Sequence, residues 1–139
     1  MSMGNFLEEI TLENRTDKTL ADYGHLNEGE IRTLKVDAMP DTGAWTLVIN
    51  EDVRQKLGLA IEGEIKSTLA DGTSTNCPIT EPVKIQWKDR STTIPAIVIA
   101  KAQDVLLGAL PLEAMDLIVD PVRQTLAGAR GDEPLYTLY

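Results

Sequence analysis

Apolar and polar residues alternate over several short stretches of this chain. The alternation runs through Ile31–Ala38 and recurs in Ile10–Asn14 and in Glu81–Trp87. A period of two places successive side chains on opposite faces of an extended strand, so these stretches predict β-strands. The mainly apolar runs Trp45–Ile49 and Ile94–Ala100 predict further strands.

Residues typical of turns stand between the predicted strands. Asp71 and Gly72 separate Ile61–Leu69 from Thr73–Ile79. An Asp-Gly pair between strand-like runs is a strong hairpin signal, because a type I′ turn requires positive φ at both central residues. Asp120–Arg123 predicts a second hairpin-like turn between the short apolar stretches on either side of it.

Two short helices are predicted among the strands. Asn50 is a suitable N-cap, and the acidic residues Glu51 and Asp52 follow it in the first turn, where the helix dipole favours negative charge. Gly58 marks the end of this helix. Pro111–Met115 predicts the second helix.

These elements together predict a mostly β fold. Many short strands separated by turns are typical of a small closed antiparallel β-barrel or a closed sandwich, here with two short helices. The remaining stretches predict a polar turn at Arg15–Lys18, irregular chain at Leu20–Glu30 and an edge strand at Leu135–Tyr139. By length, residues 1–139 are expected to form a single domain.

Composition indicates a globular protein and argues against some partners. Apolar residues make up 42% of the chain and charged residues 25%, which is an ordinary globular balance. The net charge of −9 would repel phosphate backbones, so nucleic acid is not expected as a partner. No apolar run approaches the roughly 20 residues that span a membrane, so no membrane association is expected either.

The chain has one cysteine, Cys77, and one histidine, His25. A single cysteine cannot form an intrachain disulfide, and Met1–Asn14 lacks the pattern of a signal peptide, so a cytoplasmic setting is expected. The two residues are far apart in sequence, and no second histidine accompanies His25. We therefore expect no thiol nucleophile, no metal site and no cofactor.

The most specific chemistry lies in Met39–Ala44, a turn between two apolar runs. Asp41 and Thr42 have short side chains that hydrogen-bond neighbouring backbone, and Gly43 lets other groups approach closely. Such a turn holds one carboxylate at the mouth of a β-structure. Taken alone it is also compatible with a solvent-exposed aspartate, because short motifs recur by chance.

Three features in a fixed order resemble the retropepsin-like aspartic proteases, most closely the bacterial retroviral-like members. The turn Asp41–Ala44 comes first, the hairpin Leu69–Thr73 follows, and the apolar-apolar-Gly motif Leu106–Gly108 precedes a helix. The resemblance extends over about residues 30–126, with an N-terminal strand and a C-terminal edge strand flanking this core. It implies a barrel of the acid-protease type, with one lobe in each chain.

The resemblance also implies roles for individual residues. Asp41 would be the catalytic carboxylate, in an active-site turn completed by Thr42, Gly43 and Ala44. A flap would close over an extended peptide, and an apolar strand would support the turn from behind. The implied flap residues are Leu69, Ala70, Asp71 and Gly72, and the implied supporting residues are Leu106, Leu107 and Gly108.

Aspartic protease chemistry requires two carboxylates about 3 Å apart that share one proton. This chain has one Asp-Thr-Gly turn. The resemblance therefore implies a homodimer in which Asp41 meets its mate across a twofold axis, and an endopeptidase that acts on extended peptide or protein substrates. The apparent pKa values would then belong to the pair of carboxylates.

Two residues depart from the family pattern. Pro40 stands directly before Asp41 and removes one backbone donor, and Trp45 is a bulky neighbour of the turn. Trp45 is compatible with a pocket wall, with a filled cleft, and with packing in the core or at an interface. These departures leave open a second interpretation, a non-catalytic peptide-binding or dimerisation module on the same fold.

Overall fold

The computed structural model of the chain describes residues 6–68 and 71–129. Within these ranges it contains nine strands, three α-helices and a short 3₁₀ turn at Glu28–Glu30. The helices are α1 (Arg15–Asp22), α2 (Glu51–Leu57) and α3 (Ala109–Ala114). The strands are β1 (Glu8–Asn14), β2 (Thr33–Pro40), β3 (Leu47–Ile49), β4 (Ile61–Thr68), β5 (Ser74–Trp87), β6 (Arg90–Val98), β7 (Val105–Leu107), β8 (Leu117–Asp120) and β9 (Thr125–Gly128).

Six of these strands close a barrel in the order β1-β2-β7-β3-β6-β5, and β5 pairs back to β1. β4 extends from β5 as a seventh strand of the same sheet, and β8 pairs with β9 in a separate two-stranded sheet. The predicted closed barrel and mostly β fold are therefore confirmed.

The sheet is mixed, so the prediction of an antiparallel barrel is wrong in this detail. β7 lies between β2 and β3, parallel to β2 and antiparallel to β3, and β3 is also parallel to β6. A strand inserted between two neighbours that run in opposite directions has to be parallel to one of them. Alternation in a sequence records which face a side chain takes and carries no information on strand direction.

Aliphatic side chains from facing strands fill the barrel. Ile10 and Leu12 on β1, Leu47 and Ile49 on β3, and Leu107 on β7 are almost completely buried. On β1 and β3 these are alternate positions, the pattern that results when one face of a strand is turned inward. The packing holds β2, β7 and β3 side by side, and the Asp-Thr-Gly turn follows the end of β2.

Helix α1 occupies the place of the predicted polar turn Arg15–Lys18, so that prediction is wrong. Asn14 caps the helix, because its side chain accepts a 3.0 Å hydrogen bond from the Asp17 N–H. The carboxylate of Asp17, a residue only 4% exposed, accepts bonds of 2.8 to 3.0 Å from the backbone and guanidinium of Arg32. The helix therefore depends on a distant partner, which its own polar sequence does not reveal.

The predicted helix after Asn50 is confirmed as α2. The Asn50 side chain accepts a 2.9 Å hydrogen bond from the Val53 N–H, and Gly58 ends the helix with a left-handed φ of 63°. The second predicted helix is found as α3. The prediction of irregular chain at Leu20–Glu30 is partly wrong, because this stretch contains the end of α1 and the 3₁₀ turn.

The predicted turn at Asp120–Arg123 is confirmed as the connection between β8 and β9. The predicted edge strand Leu135–Tyr139 lies outside the described residues, and so do Leu69 and Ala70 of the predicted flap. Among the helices in the described ranges, none is long and apolar enough to cross a membrane.

Candidate active site

The Asp41 turn follows directly from the end of β2. β2 pairs in parallel with β7, with Met39 opposite Leu106 and Pro40 opposite Leu107. The chain stays bonded to β7 beyond this point, because the Asp41 N–H donates a 3.0 Å hydrogen bond to the Leu107 carbonyl. Pro40 is buried and lacks an N–H, yet the residue after it keeps its bond to β7. Pro40 is therefore compatible with an ordered end of β2.

The Asp41 carboxylate folds back onto its own turn. Its Oδ1 accepts a 2.9 Å hydrogen bond from the Gly43 N–H, and the Asp41 carbonyl accepts a 3.0 Å bond from the Ala44 N–H. A Cβ atom on Gly43 would lie 3.1 Å from Oδ1, so the glycine permits this close approach. Asp41 is half-buried and Thr42 is exposed. The turn thus orients a carboxylate that keeps part of its surface open.

Gly108, at the end of the predicted supporting strand Leu106–Gly108, lies directly behind the turn. A Cβ atom on Gly108 would lie 2.7 Å from the Ala44 carbonyl oxygen and 2.3 Å from that of Thr46. α3 begins at the next residue, Ala109, whose N–H donates a 2.8 Å hydrogen bond to the Ala44 carbonyl. The end of β7 and the start of α3 therefore hold the backbone of the turn from behind.

One cavity beside Asp41 lies between the turn and β4, and we call it the flap-side cleft because β4 leads into the predicted flap. Its volume is about 560 Å³. Residues of the turn, of β3, β4 and β7, and of the end of β6 line it, and most of the side chains are apolar. The lining consists of Asp41, Gly43, Ala44, Trp45, Val48, Ile65, Lys66, Ser67, Thr68, Ile97, Ile99 and Leu106.

A second cavity lies between the turn, α3 and β8, and we call it the hairpin-side cavity after the hairpin formed by β8 and β9. Its volume is about 650 Å³. Asp41 lines both cavities, so the half-buried carboxylate borders two open spaces. The hairpin-side lining consists of Pro40, Asp41, Thr42, Ala109, Leu112, Glu113, Leu117, Ile118, Val119 and Pro121.

Asp71 and Gly72 lie in the loop between β4 and β5. The predicted hairpin is confirmed, because β4 pairs antiparallel with β5. Among the described residues the pair nearest the connection is Thr68 with Ser74, so the connection is longer than a two-residue type I′ turn, and φ is positive at Gly72 (86°). The Asp71 carboxylate instead accepts hydrogen bonds from the Thr73 N–H at 2.9 Å and the Thr73 hydroxyl at 2.6 Å. The bond from the Thr73 side chain is the main cause that holds the pKa of Asp71 below its usual value. These local bonds tie Asp71 to Thr73.

Three other residues singled out by the sequence have different settings. Trp45 is 53% exposed and lines the flap-side cleft. Cys77 is buried on β5, and His25 is exposed. In the part of the chain that the structure describes, no three His, Cys, Asp or Glu residues are grouped so that they could hold a metal ion.

Sequence reasoning missed the apolar wall of the flap-side cleft. Val48 on β3, Ile97 on β6 and Ile99 just beyond β6 belong to stretches that the pattern identifies only as strands. They become neighbours when β3 pairs with β6, which places Val48 opposite Ile97. The available signal was the continuity of the two apolar runs, since a strand without alternation has two apolar faces and only one can fill the barrel.

Comparisons with known proteins agree with this architecture. Residues 27–109, more than half of the chain, match the family model described as aspartyl protease. The EIAV protease complexed with the inhibitor HBY-793 aligns with a TM-score of 0.50 and 18% identity, over 78% of this chain and 86% of that chain. A retropepsin-like aspartic protease from Rickettsia conorii aligns with a TM-score of 0.50 and 18% identity, over 84% of this chain and 87% of that chain. Among curated protein sequences, none matches.

The chain therefore belongs to the aspartyl protease family, and its fold is the retropepsin-like one. By class it is an aspartic peptidase, a hydrolase. The matched range contains the Asp41 turn and ends at Ala109, the first residue of α3. The resemblance inferred from the three ordered motifs is confirmed at the level of family and fold.

Proposed function

We propose that the chain is an aspartic endopeptidase that acts as a homodimer and uses its two Asp41 carboxylates. The observation that carries the proposal is the setting of Asp41, whose side chain is held by the Gly43 N–H and borders two cavities. One carboxylate on an ordered turn supplies half of an acid–base pair, so a second copy of the chain is required for the other half. Membership of the aspartyl protease family supports peptide-bond hydrolysis as the reaction.

The proposed reaction uses one water molecule and one shared proton. The ionised Asp41 carboxylate accepts a proton from the water, and the water oxygen attacks the carbonyl carbon of the scissile bond. The protonated Asp41 of the other chain hydrogen-bonds the carbonyl oxygen and stabilises the tetrahedral intermediate. When the C–N bond breaks, a proton passes to the leaving amine, and the pair returns to its singly protonated state.

The hairpin-side cavity supports the assembly of two chains around Asp41. Thr42, which is exposed, and Ile118 on β8, which is 52% exposed, both line it. An exposed apolar side chain beside half of an acid–base pair is consistent with cover by a second copy. In this proposal Thr42 hydrogen-bonds across the twofold axis and braces the two turns against each other.

The flap-side cleft supports the binding of an extended peptide. In the described sheet β4 pairs with β5 on one side only, so its outer edge has backbone groups free to bond. An extended peptide can add to such an edge as a further strand, with alternate side chains against the apolar wall. The loop that contains Leu69, Ala70, Asp71 and Gly72 is proposed to be the flap that closes over the peptide and excludes water.

The role of Asp41 is tested by the cleavage of a peptide library. Asp37 is an exposed acid on β2, the strand that leads to Asp41, so Asp37→Asn is the matched control for Asp41→Asn. We expect kcat to fall at least about a thousandfold for Asp41→Asn and to stay within about twofold of wild type for the control. Equal rates for wild type and Asp41→Asn would remove Asp41 from the mechanism.

The requirement for a dimer is tested by mixing chains. Wild-type chains refolded with an excess of Asp41→Asn chains would form mixed dimers that contain one unaltered Asp41. We expect the activity per wild-type chain to fall as the excess rises, because each active pair needs two ionisable carboxylates. Activity per wild-type chain that stays constant would show that one chain is sufficient.

A non-catalytic peptide-binding or dimerisation module is the second candidate. Pro40 and Trp45 favour it, because both depart from the family pattern directly beside the carboxylate. Such a module would bind peptides equally well as wild type and as Asp41→Asn, and neither protein would cleave them. A cytoplasmic location belongs to both candidates, because Cys77 is a free thiol, and cell fractionation tests it.

A further inference from the structure

Trp45 is a large side chain held at a fixed place with much of its surface open. It is 53% exposed, whereas the next two residues, Thr46 and Leu47, are almost completely buried. Its backbone is anchored, because the Trp45 carbonyl accepts a 2.9 Å hydrogen bond from the N–H of Leu110 on α3. An exposed indole on an anchored backbone is suited to contact with a ligand.

The surroundings of this indole are mostly aliphatic. Val48, Ile65 and Ile97 line the flap-side cleft with Trp45, and they come from three different strands. Asp41 lines the same cleft, so the apolar wall stands next to the proposed catalytic carboxylate. A side chain of a peptide cleaved at Asp41 would therefore lie within reach of the indole.

We propose that Trp45 determines specificity by packing against an aromatic side chain of the substrate that flanks the scissile bond. The inference rests on the proposed function, because the peptide in the cleft is the proposed substrate. An aromatic ring buries a large area against the aliphatic wall and adds a stacked or edge-to-face contact with the indole. An aliphatic side chain lacks that second contact, so we expect about a tenfold preference for the aromatic one.

Local charge disfavours the main competing ligand of an indole face. A Lys or Arg side chain also binds the face of a tryptophan, through a cation–π contact. Lys66 lines the same cleft, so a cationic side chain packed on Trp45 would come near a like charge. The net charge of −9 attracts cations at longer range, but salt screens that attraction. Asp41 lines the cleft too, and in an Asp41→Asn variant its charge is absent, so that Lys66 is the charged side chain that remains in the lining.

The test measures peptide binding in the Asp41→Asn variant, which we expect to bind the peptide without cleaving it. The probes are blocked octapeptides of Ser and Ala with Phe, Leu or Arg at one central position. The chain has two tryptophans, and Trp87 is only 6% exposed, with its Nε1–H bonded to Glu8 at 3.1 Å. We expect the Phe peptide to shift the fluorescence emission of Trp45 to shorter wavelength and to reduce the quenching of this emission by acrylamide. We also expect it to bind with about a tenfold lower Kd than the Leu or Arg peptide.

Two matched variants in the same background assign the signal. Trp45→Leu should remove the emission shift and bring the ratio of the Phe and Leu affinities to about one, whereas Trp87→Phe should keep both. Equal affinities for the three peptides in Asp41→Asn, or no Trp45-dependent response to any of them, would overturn the proposal. A blue shift that follows protein concentration alone would also overturn it, because the indole would then lie between two copies of the chain.

This readout is separate from catalysis. If wild type cleaves nothing but Asp41→Asn binds the Phe peptide through Trp45, the peptidase proposal fails and the recognition proposal stands. If wild type cleaves the Phe and Leu peptides with equal kcat/KM, and Trp45→Leu behaves in the same way, the recognition proposal fails and the peptidase proposal stands.

Discussion

Gly108 lies so close to Thr46 that a Cβ atom on Gly108 would stand 2.3 Å from the Thr46 carbonyl oxygen and 2.8 Å from its nitrogen. The φ of Gly108 is −83°, which any residue adopts, so the position requires a small residue and not a flexible one. This contact places the end of β7 directly behind the Asp41 turn. The apolar-apolar-Gly motif therefore needs glycine at this position in this fold for steric reasons.

We expect Gly108→Ala to lower both stability and activity. The new Cβ atom would overlap backbone atoms of Ala44 and Thr46, which move aside only if the turn itself shifts. Overpacking of this kind costs about 1–3 kcal/mol in the free energy of unfolding. A shifted turn also displaces the Asp41 carboxylate, so kcat should fall more than KM changes. Urea unfolding and peptide cleavage measure the two effects.

Gly29→Ala is the matched control for this substitution. A Cβ atom on Gly29 would meet nothing within 4 Å. We expect the free energy of unfolding to change by less than about 0.5 kcal/mol and the kinetics to stay the same. If Gly108→Ala proved as stable and as active as Gly29→Ala, the close packing behind the turn would not be needed for stability or for activity.

Asp17 should stabilise the fold at neutral pH and lose this effect in acid. Hydrogen bonds from the Arg32 side chain hold the pKa of Asp17 below its ordinary value of 3.8. Because the pKa is lower in the folded state, the unfolded state binds more protons in acid. The stabilisation is therefore complete above the unfolded-state pKa and is lost as the pH falls from about 4 through the folded-state pKa.

Urea unfolding of wild type and Asp17→Asn between pH 7 and pH 2.5 checks this dependence. At pH 7 the variant should lose about 1–3 kcal/mol in free energy of unfolding, because hydrogen bonds to a buried charge are lost. The difference between the two proteins should shrink below pH 4, and a constant difference would contradict the prediction. Asp52→Asn is the control, since Asp52 is 70% exposed in its pair with Lys56 and such pairs contribute little.

The elements with local signals were the predictable part of the fold. Alternation in Ile31–Ala38 identifies β2, and Asn50 with Gly58 brackets α2, because each signal lies within a few residues of its effect. Helix α1 escaped prediction because its Asp17 is stabilised by Arg32, which is 15 residues away in the chain. Strand direction escaped prediction because it depends on where β7 enters the sheet.

The candidate site likewise has one part that the sequence predicts and another part that it does not. The residues of the Asp41 turn are contiguous, so their pattern is visible in the sequence. The walls of the flap-side cleft are not contiguous, and residues such as Val48 and Ile97 meet only through strand pairing. The setting of Trp45 was left open by the sequence, because it depends on the bond from Leu110 that fixes the Trp45 backbone.

Gly58→Ala should weaken the ion pair between Asp17 and Arg32 by displacing the Arg32 side chain. Gly58 ends α2 with a φ of 63°, and a Cβ atom there would lie 1.7 Å from Nη1 of Arg32. The guanidinium would have to move away, and the left-handed backbone adds strain, so we expect a loss of about 1–2 kcal/mol in the free energy of unfolding. Urea unfolding of the single and double variants measures the coupling.

The double variant Asp17→Asn with Gly58→Ala should lose less than the sum of the two single variants. Both substitutions act on the same Arg32 side chain, and residues that share a partner couple by about 0.5–3 kcal/mol. Strictly additive losses would show that Arg32 keeps its bonds to Asp17 when Gly58 is replaced.

Asp71→Ala should affect catalysis and leave stability almost unchanged. The Asp71 carboxylate is exposed and accepts two hydrogen bonds from Thr73, which hold residues 71–73 of the connection between β4 and β5 together. If this loop is the flap, losing these bonds slows its closure over the peptide, and kcat/KM should fall about threefold to tenfold. Asp89→Ala, in the exposed turn between β5 and β6, is the matched control and should keep wild-type kcat/KM. Thermal unfolding together with peptide cleavage separates the two effects, and equal kcat/KM for both variants would argue that the Asp71 loop does not act as a flap.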